Sequence, residues 1–312
     1  MVRRPVAHLR GSRVVALLAV LAAGVLGGCT SSARSDGRVL AVGAENVYAN
    51  VIAQIGGRYV HVSSVVNNPL ADPHTYEVTA RVAQRIDSAQ LIVQNGMGYD
   101  SYMNNVESAT TTPGRHVLVV RQVAGVPLST WNPHLWYSLP VMATLGRAVE
   151  HVLVQVRPQH AAYFAARLRT FELSLHTLAA TFANFRARHR HLAAATSEPV
   201  ANYLLRELGI AVRTPRQLQA AVMNGVDPSP QDIARQQALL RGHGVAMLCY
   251  NQQVVDAFTS SLVTVASTSR PPVPVVAVYE TMPASFTYQS WMFAEYAAIV
   301  RAVTRHESTL RL

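Results

Sequence analysis

One uninterrupted apolar stripe in the middle of the chain constrains the fold more than any other feature. Its seven residues follow one another at alternating spacings of four and three: Phe164, Leu168, Phe171, Leu175, Leu178, Phe182 and Phe185. This period predicts one face of a single long helix, which we place at residues 158–188 because Pro158 suits a first helical turn. At about 1.5 Å per residue, this helix would be roughly 45 Å long.

Two packing arrangements suit such a stripe. A seven-residue period is typical of a coiled-coil dimer, but a helix of this kind can also pack along domains on either side of it. A single isolated helix favours the second arrangement, because the flanking segments can then cover its apolar face. We therefore predict one long linking helix in a monomeric protein.

The segments on both sides of this helix alternate short apolar runs with helical patterns. The apolar runs predict strands in both halves of the chain: residues 39–42, 59–66, 91–94 and 116–120, then 192–195, 245–250 and 273–278. Strands separated by helices indicate parallel sheets. We predict the α/β fold class, with two parallel-sheet lobes joined by the long helix and a cleft between them. The N-lobe is predicted at residues 38–157 and the C-lobe at residues 189–312.

Three residues of the C-lobe each stand before a helix start that has a proline in its first turn. They are Ser197, Thr214 and Ser229. Hydroxyl oxygens at such positions accept hydrogen bonds from the first backbone N–H groups of a helix, so we predict all three as N-caps. The first of these helices is predicted to begin at Glu198 and to end near Gly209.

The first 29 residues predict the location of the protein. Four arginines lie within residues 1–13, and an apolar run at residues 14–26 follows them. The run is too short to span a membrane and is typical of a secretory signal. Two glycines then precede Cys29, an ending typical of a bacterial lipoprotein signal, although an ordinary signal-anchor with an incidental cysteine is the alternative. We predict a signal peptide at residues 1–28, and a tether at residues 29–37 that begins with a lipid on Cys29 and anchors the protein outside the cytoplasm, at the cell membrane.

The charge and the cysteine content of the chain indicate which partners and which covalent cross-links to expect. Without the four arginines of the signal, the chain carries 23 arginines against 17 acids, a net charge of +6. These arginines are dispersed, whereas a nucleic-acid interface needs a concentrated basic patch with a reading motif, so we predict no nucleic-acid partner. With Cys29 lipidated, Cys249 would be the one remaining thiol, and no intrachain disulfide is expected. Because Cys249 lies in an apolar run, we predict it as a small core residue.

Two of the twelve histidines differ from the others in their local sequence. His74 follows an Asp-Pro dipeptide and His134 follows Asn-Pro, both in loops that lead into a helix. Proline restricts the backbone and lowers the entropy cost of ordering the imidazole, and loops at strand ends are where α/β folds place ligand groups. The alternative is that each Pro-His pair only starts a helix. The other histidines are better explained as solvated or hydrogen-bonded side chains.

Two acids occupy the corresponding positions of the second half. Glu198 follows the strand predicted at residues 192–195, and Glu280 follows the one at residues 273–278. The alternatives are an acid favoured by a helix dipole for Glu198 and an exposed loop acid for Glu280. Four potential ligands, two from each half, could nevertheless converge in the cleft. The sequence contains none of the motifs of a metalloprotease, a nucleophile-elbow hydrolase or a phosphate-binding loop.

The joint order of several short motifs resembles one known family. These landmarks extend over the region from about Val39 to Met292: Val42-Gly43-Ala44-Glu45-Asn46, Asp72-Pro73-His74, Asn95-Gly96-Met97-Gly98-Tyr99-Asp100, Asn132-Pro133-His134-Leu135-Trp136, Ser197-Glu198-Pro199, Tyr250-Asn251 and Glu280-Thr281. Together they are similar to the zinc/manganese solute-binding lipoproteins of bacterial ABC importers, the group that includes the pneumococcal surface adhesin. The resemblance implies two α/β lobes, a rigid linking helix, a metal ion held between the lobes and an importer permease as partner.

The same resemblance implies the ligands of the metal ion. His74 and His134 would come from the N-lobe, and Glu198 and Glu280 from the C-lobe. Family members usually have aspartate at the last position, so Asp256 is the fallback if Glu280 points away. The histidine-rich loop and third histidine ligand of the zinc-specific branch are absent from this sequence. Two imidazoles and two carboxylates suit manganese or ferrous iron, whereas zinc binds such a site more tightly, so we expect one divalent ion, manganese or zinc, as cargo.

Two other functions would use the same residues. A metallohydrolase needs an open coordination position at the metal, and four protein ligands leave none, so we predict that the protein is not an enzyme. A surface adhesin with a structural metal would dispense with transport and would carry an exposed apolar patch. We interpret the protein as one that captures a metal ion and delivers it.

Overall fold

Each half of the chain forms a four-stranded parallel sheet. The computed structural model describes residues 37–67, 78–109 and 112–312. The N-lobe contains, in chain order, β1 (Val39–Glu45), α1 (Asn46–Gly56), β2 (Val60–Val66), α2 (Ala80–Ser88), β3 (Leu91–Gln94), α3 (Ser101–Ser108), β4 (His116–Val119), α4 (Val120–Val123) and α5 (Leu139–Val156). Its strand order is β2-β1-β3-β4, with every neighbouring pair parallel. The carboxyl ends of the strands therefore meet at one edge of the sheet.

The C-lobe repeats this arrangement with a second sheet. The helix α6 (Ala161–Arg188) leads into β5 (Ala193–Thr196), α7 (Asn202–Glu207), β6 (Ala211–Val212), α8 (Arg216–Met223), α9 (Pro230–Arg241), β7 (Met247–Asn251), α10 (Ala257–Thr268), β8 (Val275–Val278) and α11 (Tyr288–Arg305). The strand order is β6-β5-β7-β8, again with parallel neighbours. The predicted fold class, two parallel-sheet lobes joined by one long helix, is confirmed.

The apolar stripe of the linking helix is covered within the chain. Six of its seven residues are at most 5 % exposed, and Leu168 is partly buried against the same core. The helix packs on α1 and α5 of the N-lobe and on α7 and α11 of the C-lobe. The packing arrangement along the lobes is therefore the one observed. A short 3-10 turn at residues 158–160 precedes α6, so the α-helix begins three residues later than Pro158.

Polar contacts between the lobes add to this shared core. Asn46, the first residue of α1, exchanges two hydrogen bonds with the backbone of Met282, at 2.7 Å and 3.1 Å. One helical turn later, Asn50 accepts a hydrogen bond of 3.0 Å from the backbone N–H of Tyr288. An amide side chain both donates and accepts, so it can bind a strand-like backbone segment at two points. The first turns of α1 thereby hold the segment that follows β8.

Two of the three predicted N-caps are wrong, and both side chains bond elsewhere. Helix α7 begins at Asn202, whereas the hydroxyl of Ser197 accepts a hydrogen bond of 3.0 Å from the backbone N–H of Asn251. The hydroxyl of Thr214 accepts one of 2.8 Å from the backbone N–H of Thr196. Both hydroxyls thus join neighbouring strand ends of the C-lobe sheet. The third prediction is confirmed, because Ser229 caps α9.

The prediction for Cys249 is confirmed. Cys249 lies on β7 and is 1 % exposed, and burial raises the pKa of its thiol to about 12. The thiol is therefore neutral and packs as a core residue, as predicted. Among the residues that the structure describes, no helix is both long enough and apolar enough to cross a membrane.

Candidate metal centre

His134 is held in one orientation by the side chain of Asn132. The Oδ1 atom of Asn132 accepts a hydrogen bond of 3.0 Å from the backbone N–H of His134 and lies 2.7 Å from its Nδ1. The Nδ2 atom of Asn132 donates to the carbonyl of Pro199, which fixes the orientation of the amide. Because an amide oxygen only accepts, Nδ1 of His134 donates to it, and in the neutral imidazole Nε2 then carries the lone pair. This arrangement orients an imidazole in the way that metal-binding histidines are oriented.

The Nε2 atom of His134 faces a carboxylate of the other lobe. It is buried and has no hydrogen-bond partner in the described part of the chain. The Oε2 atom of Glu280 lies 3.5 Å away, and both side chains are fully buried. A buried lone pair without a donor, beside a buried carboxylate, is an arrangement that a cation would stabilise.

The carboxylate of Glu280 accepts hydrogen bonds from residues of both lobes. Its Oε2 atom accepts a hydrogen bond of 2.8 Å from the hydroxyl of Tyr99, in the N-lobe loop after β3. Its Oε1 atom accepts one of 2.6 Å from the side-chain amide of Asn251, at the end of β7. Burial, followed by the negative charge of Glu280, raises the pKa of Tyr99 well above its usual value, so the phenol stays protonated and donates. The alternative of an exposed loop acid is wrong for Glu280.

Glu198 lies in a segment that is tied to the same neighbourhood. It is 3 % exposed and follows β5. The residue before it, Ser197, accepts from the backbone of Asn251, and the carbonyl of Pro199 after it accepts from the side chain of Asn132. Asn251 and Asn132 are the residues that bind Glu280 and His134. The carboxyl edges of both sheets thus contribute to one buried region between the lobes.

The structure brings together two of the four predicted ligands directly. His134 and Glu280 are in contact, whereas His74 lies outside the described residues, as does Cys29. In residues 37–67, 78–109 and 112–312, no three His, Cys, Asp or Glu side chains form a group that could hold a metal ion. Asp256, the fallback, caps α10 through a hydrogen bond of 2.6 Å from the backbone N–H of Thr259.

Two further acids are buried at the carboxyl edge of the N-lobe sheet. Burial and the nearby charge of Asp100 raise the pKa of Glu45 well above its usual value. Burial raises the pKa of Asp100 to about 6, although the backbone N–H groups of Gly96 and Asn95 lower it. Desolvation disfavours the charged form of a carboxyl group. Burial therefore shifts both acids towards their neutral forms at this edge of the sheet.

Sequence analysis did not assign roles to Tyr99, Asn132 or Asn251. All three lie in the motifs that carry the family resemblance, and their position in these motifs was the sequence signal that could have pointed to a role. Tyr99 and Asn251 contact Glu280 from distant positions in the sequence, whereas Asn132 lies two residues before its partner His134. Only their proximity in the fold reveals that Tyr99 and Asn251 bind Glu280.

Comparison with known proteins identifies the family. Residues 42–302 match the family model ZnuA, described as zinc-uptake complex component A, periplasmic. The chain belongs to this family. Among curated relatives, the zinc-binding protein TroA of Treponema pallidum is 28 % identical over 169 residues, which are 51 % of this chain and 54 % of TroA. The manganese-binding lipoprotein MntA of Bacillus subtilis is 22 % identical over 175 residues, 54 % of this chain and 57 % of MntA.

Structural comparison supports the same fold. The structure of the periplasmic zinc-binding protein TroA from Treponema pallidum superposes with a TM-score of 0.72 at 20 % sequence identity, covering 86 % of this chain and 99 % of TroA. At this level of identity the likeness concerns the fold. In sequence, the match spans only about half the length of TroA and of MntA. Their substrates are therefore a basis for a proposal about this ZnuA family member.

Proposed function

We propose that this protein is an extracytoplasmic solute-binding protein that captures one divalent transition-metal ion and delivers it to the permease of an ABC importer. One observation supports the proposal most directly: the buried Nε2 lone pair of His134 faces Oε2 of Glu280 across the lobe boundary, at 3.5 Å. An ion between these atoms would bind both lobes at once. Such a site couples metal binding to the relative position of the lobes, which a capture-and-release protein requires.

The proposed ligands are His74, His134, Glu198 and Glu280. His74 is included for its sequence motif, and Glu198 because its neighbours bond to the residues that hold His134 and Glu280. Imidazole nitrogen and carboxylate oxygen are ligands for manganese, ferrous iron and zinc. Binding requires ionised carboxylates and neutral imidazoles, so protons compete with the metal ion and affinity falls in acid.

Metal titration separates this function from its two rivals. The purified protein, stripped with a chelator, is expected to bind one equivalent of Mn²⁺ or Zn²⁺ with a dissociation constant below about 1 μM, a binding free energy beyond about −8 kcal/mol. Elemental analysis of the protein as purified identifies the ion, and competition between Mn²⁺ and Zn²⁺ gives the preference. Weaker binding of both ions would contradict the proposal, and metal-dependent hydrolysis would support a metallohydrolase instead. Binding together with normal metal uptake in cells that lack the protein would support the adhesin.

We propose that the mature protein is monomeric and is attached to the cell membrane through Cys29. The signal is proposed at residues 1–28 and the tether at residues 29–37, followed by the N-lobe, linking helix and C-lobe. Cys29→Ser is expected to move the protein from the membrane fraction to the soluble fraction and to abolish incorporation of labelled fatty acid. Cys249→Ser is the matched control, because that thiol is buried on β7. Membrane association of Cys29→Ser equal to that of the parent would contradict lipid attachment.

A further inference from the structure

Several hydrogen bonds connect the loop after β7 with the backbone and the carboxylate of Glu280. The side chain of Asn251 donates to Oε1 of Glu280 at 2.6 Å and accepts from the backbone N–H of Gln253 at 3.0 Å. The side-chain oxygen of Gln253 in turn accepts from the backbone N–H groups of Glu280 and Thr281, at 2.6 Å and 2.7 Å. The loop after β7 thus holds both the chain path and the carboxylate of Glu280.

The position of this loop follows from the sheet. Asn251 is the last residue of β7 and pairs with Val278, the last residue of β8, so the two chain segments leave the sheet side by side. Asn251 is 1 % exposed and Glu280 is fully buried. A hydrogen bond between an amide and a buried carboxylate is charge-assisted and stronger than a neutral one. The contact therefore restricts rotation of the carboxylate about its terminal bond.

We propose that Asn251 and Gln253 determine which oxygen of Glu280 is offered to the metal ion, and thereby bias the site between zinc and manganese. The proposal rests on the proposed function. Asn251 engages Oε1, while Oε2, which also accepts from Tyr99, is the oxygen 3.5 Å from Nε2 of His134. Glu280 then contributes one oxygen to the ion, although a glutamate side chain is flexible enough to offer two.

The number of oxygen atoms that Glu280 offers affects which ion binds more tightly, because zinc and manganese prefer different coordination numbers. Zinc favours four ligands in a tetrahedral arrangement, whereas manganese accepts more oxygen ligands and higher coordination numbers. A carboxylate restrained to one oxygen therefore favours zinc over manganese. Without the amide of Asn251, the Glu280 carboxylate can turn and present both oxygens, which improves the site for manganese.

Variants of the two residues test this bias. Asn251→Ala is expected to raise the affinity for Mn²⁺ relative to Zn²⁺ by about 10-fold or more, measured by competitive titration of the purified full chain. Gln253→Ala removes the acceptor of the backbone N–H of Glu280 and is expected to shift the ratio of Mn²⁺ affinity to Zn²⁺ affinity in the same direction. It provides the test if Asn251→Ala does not fold. Gln236→Ala is the matched control, because Gln236 is an equally buried amide of the C-lobe that donates to the carbonyl of Thr196.

The electronic spectrum of bound Co²⁺ provides a readout that a loss of stability would not produce. Tetrahedral Co²⁺ absorbs strongly in the visible range, and the intensity falls as the coordination number rises. The spectrum of Asn251→Ala is expected to weaken relative to those of the parent and Gln236→Ala. If a folded variant keeps the parent's ratio of Mn²⁺ affinity to Zn²⁺ affinity and the parent's Co²⁺ spectrum, this inference is wrong, and the proposed function is unaffected. Failure of the parent protein to bind any of the three ions would instead overturn the proposed function, and this inference with it.

Discussion

Replacing His134 with alanine is expected to lower the affinity for Mn²⁺ and Zn²⁺ at least about 100-fold while the protein stays folded. Structural zinc sites contribute roughly 10–16 kcal/mol. An equal share for each of four ligands is about 3 kcal/mol, or about two factors of ten in affinity. The loss is expected because Nε2 of His134 is buried, lacks a hydrogen bond in the described residues and faces Glu280. Calorimetric titration measures the affinity, and thermal unfolding without metal checks the fold.

A second histidine serves as the control for this substitution. His151 lies on the exposed surface of α5, where its Nε2 is 3.0 Å from the side chain of Gln155. His151→Ala is expected to leave metal affinity unchanged. Equal affinities for the parent, His134→Ala and His151→Ala would remove His134 from the site.

Replacing Glu295 with alanine is expected to destabilise the protein by about 3–5 kcal/mol, because buried donors that lose their acceptor cost about 1–3 kcal/mol each. Its Oε1 atom accepts from the hydroxyl of Tyr137 at 2.7 Å, from Nε1 of Trp291 at 2.9 Å and from the backbone N–H of Tyr279 at 3.3 Å. Alanine would leave these donors of both lobes buried without that acceptor. Thermal unfolding is expected to shift by about 10 °C.

The same carboxyl is expected to make stability fall as pH rises. Burial raises the pKa of Glu295 from its usual value of about 4.5 to about 8, although Tyr137 and Trp291 donate to it. Below about pH 4.5 the group is protonated in both states, and its contribution to stability is fully present. As pH rises towards 8 the unfolded chain releases the proton while the native protein keeps it, which costs on the order of 1.4 kcal/mol per pH unit. Above pH 8 the cost no longer grows.

Glutamine at position 295 separates the charge from the hydrogen bonds. Glu295→Gln keeps an oxygen that can accept from the three donors, but it does not titrate. The free energy of unfolding, measured in denaturant at pH 5 and at pH 8, is expected to fall less in Glu295→Gln than in the parent. Parallel pH dependences in the two proteins would show that Glu295 is ionised in the native state at both pH values.

The elements that were predictable have patterns that depend on their own residues. The stripe from Phe164 to Phe185 predicted α6 because the period of a helix is local and both lobes cover one face of it. The strand at Leu91–Gln94 was predicted with its observed bounds, because an apolar run in a parallel sheet is buried on both sides. The predicted cap at Ser229 was likewise correct, since its donor lies three residues away.

Prediction failed where two partners compete for one side chain. Ser197 precedes a plausible first turn, yet its hydroxyl accepts from Asn251, 54 residues away, and α7 begins only at Asn202. The local sequence indicates only the nearby donor, because the distant one comes close to Ser197 only in the folded protein. The same limit applies to Tyr99 and Asn251, whose partner Glu280 lies 181 and 29 residues away.

The order of residues by itself predicted the two α/β halves and the linking helix, and it led to His74, His134, Glu198 and Glu280 as proposed ligands, because those inferences rest on local periods and on motifs. Only the tertiary structure decided that His134 and Glu280 face each other across the lobes, that Asn132 leaves Nε2 as the open nitrogen, and that Asn251 engages one oxygen of Glu280. The physical reason is that the carboxyl edges of two separate sheets meet there. A hydrogen bond between them depends on the packing of both lobes on α6, which no short segment of sequence encodes.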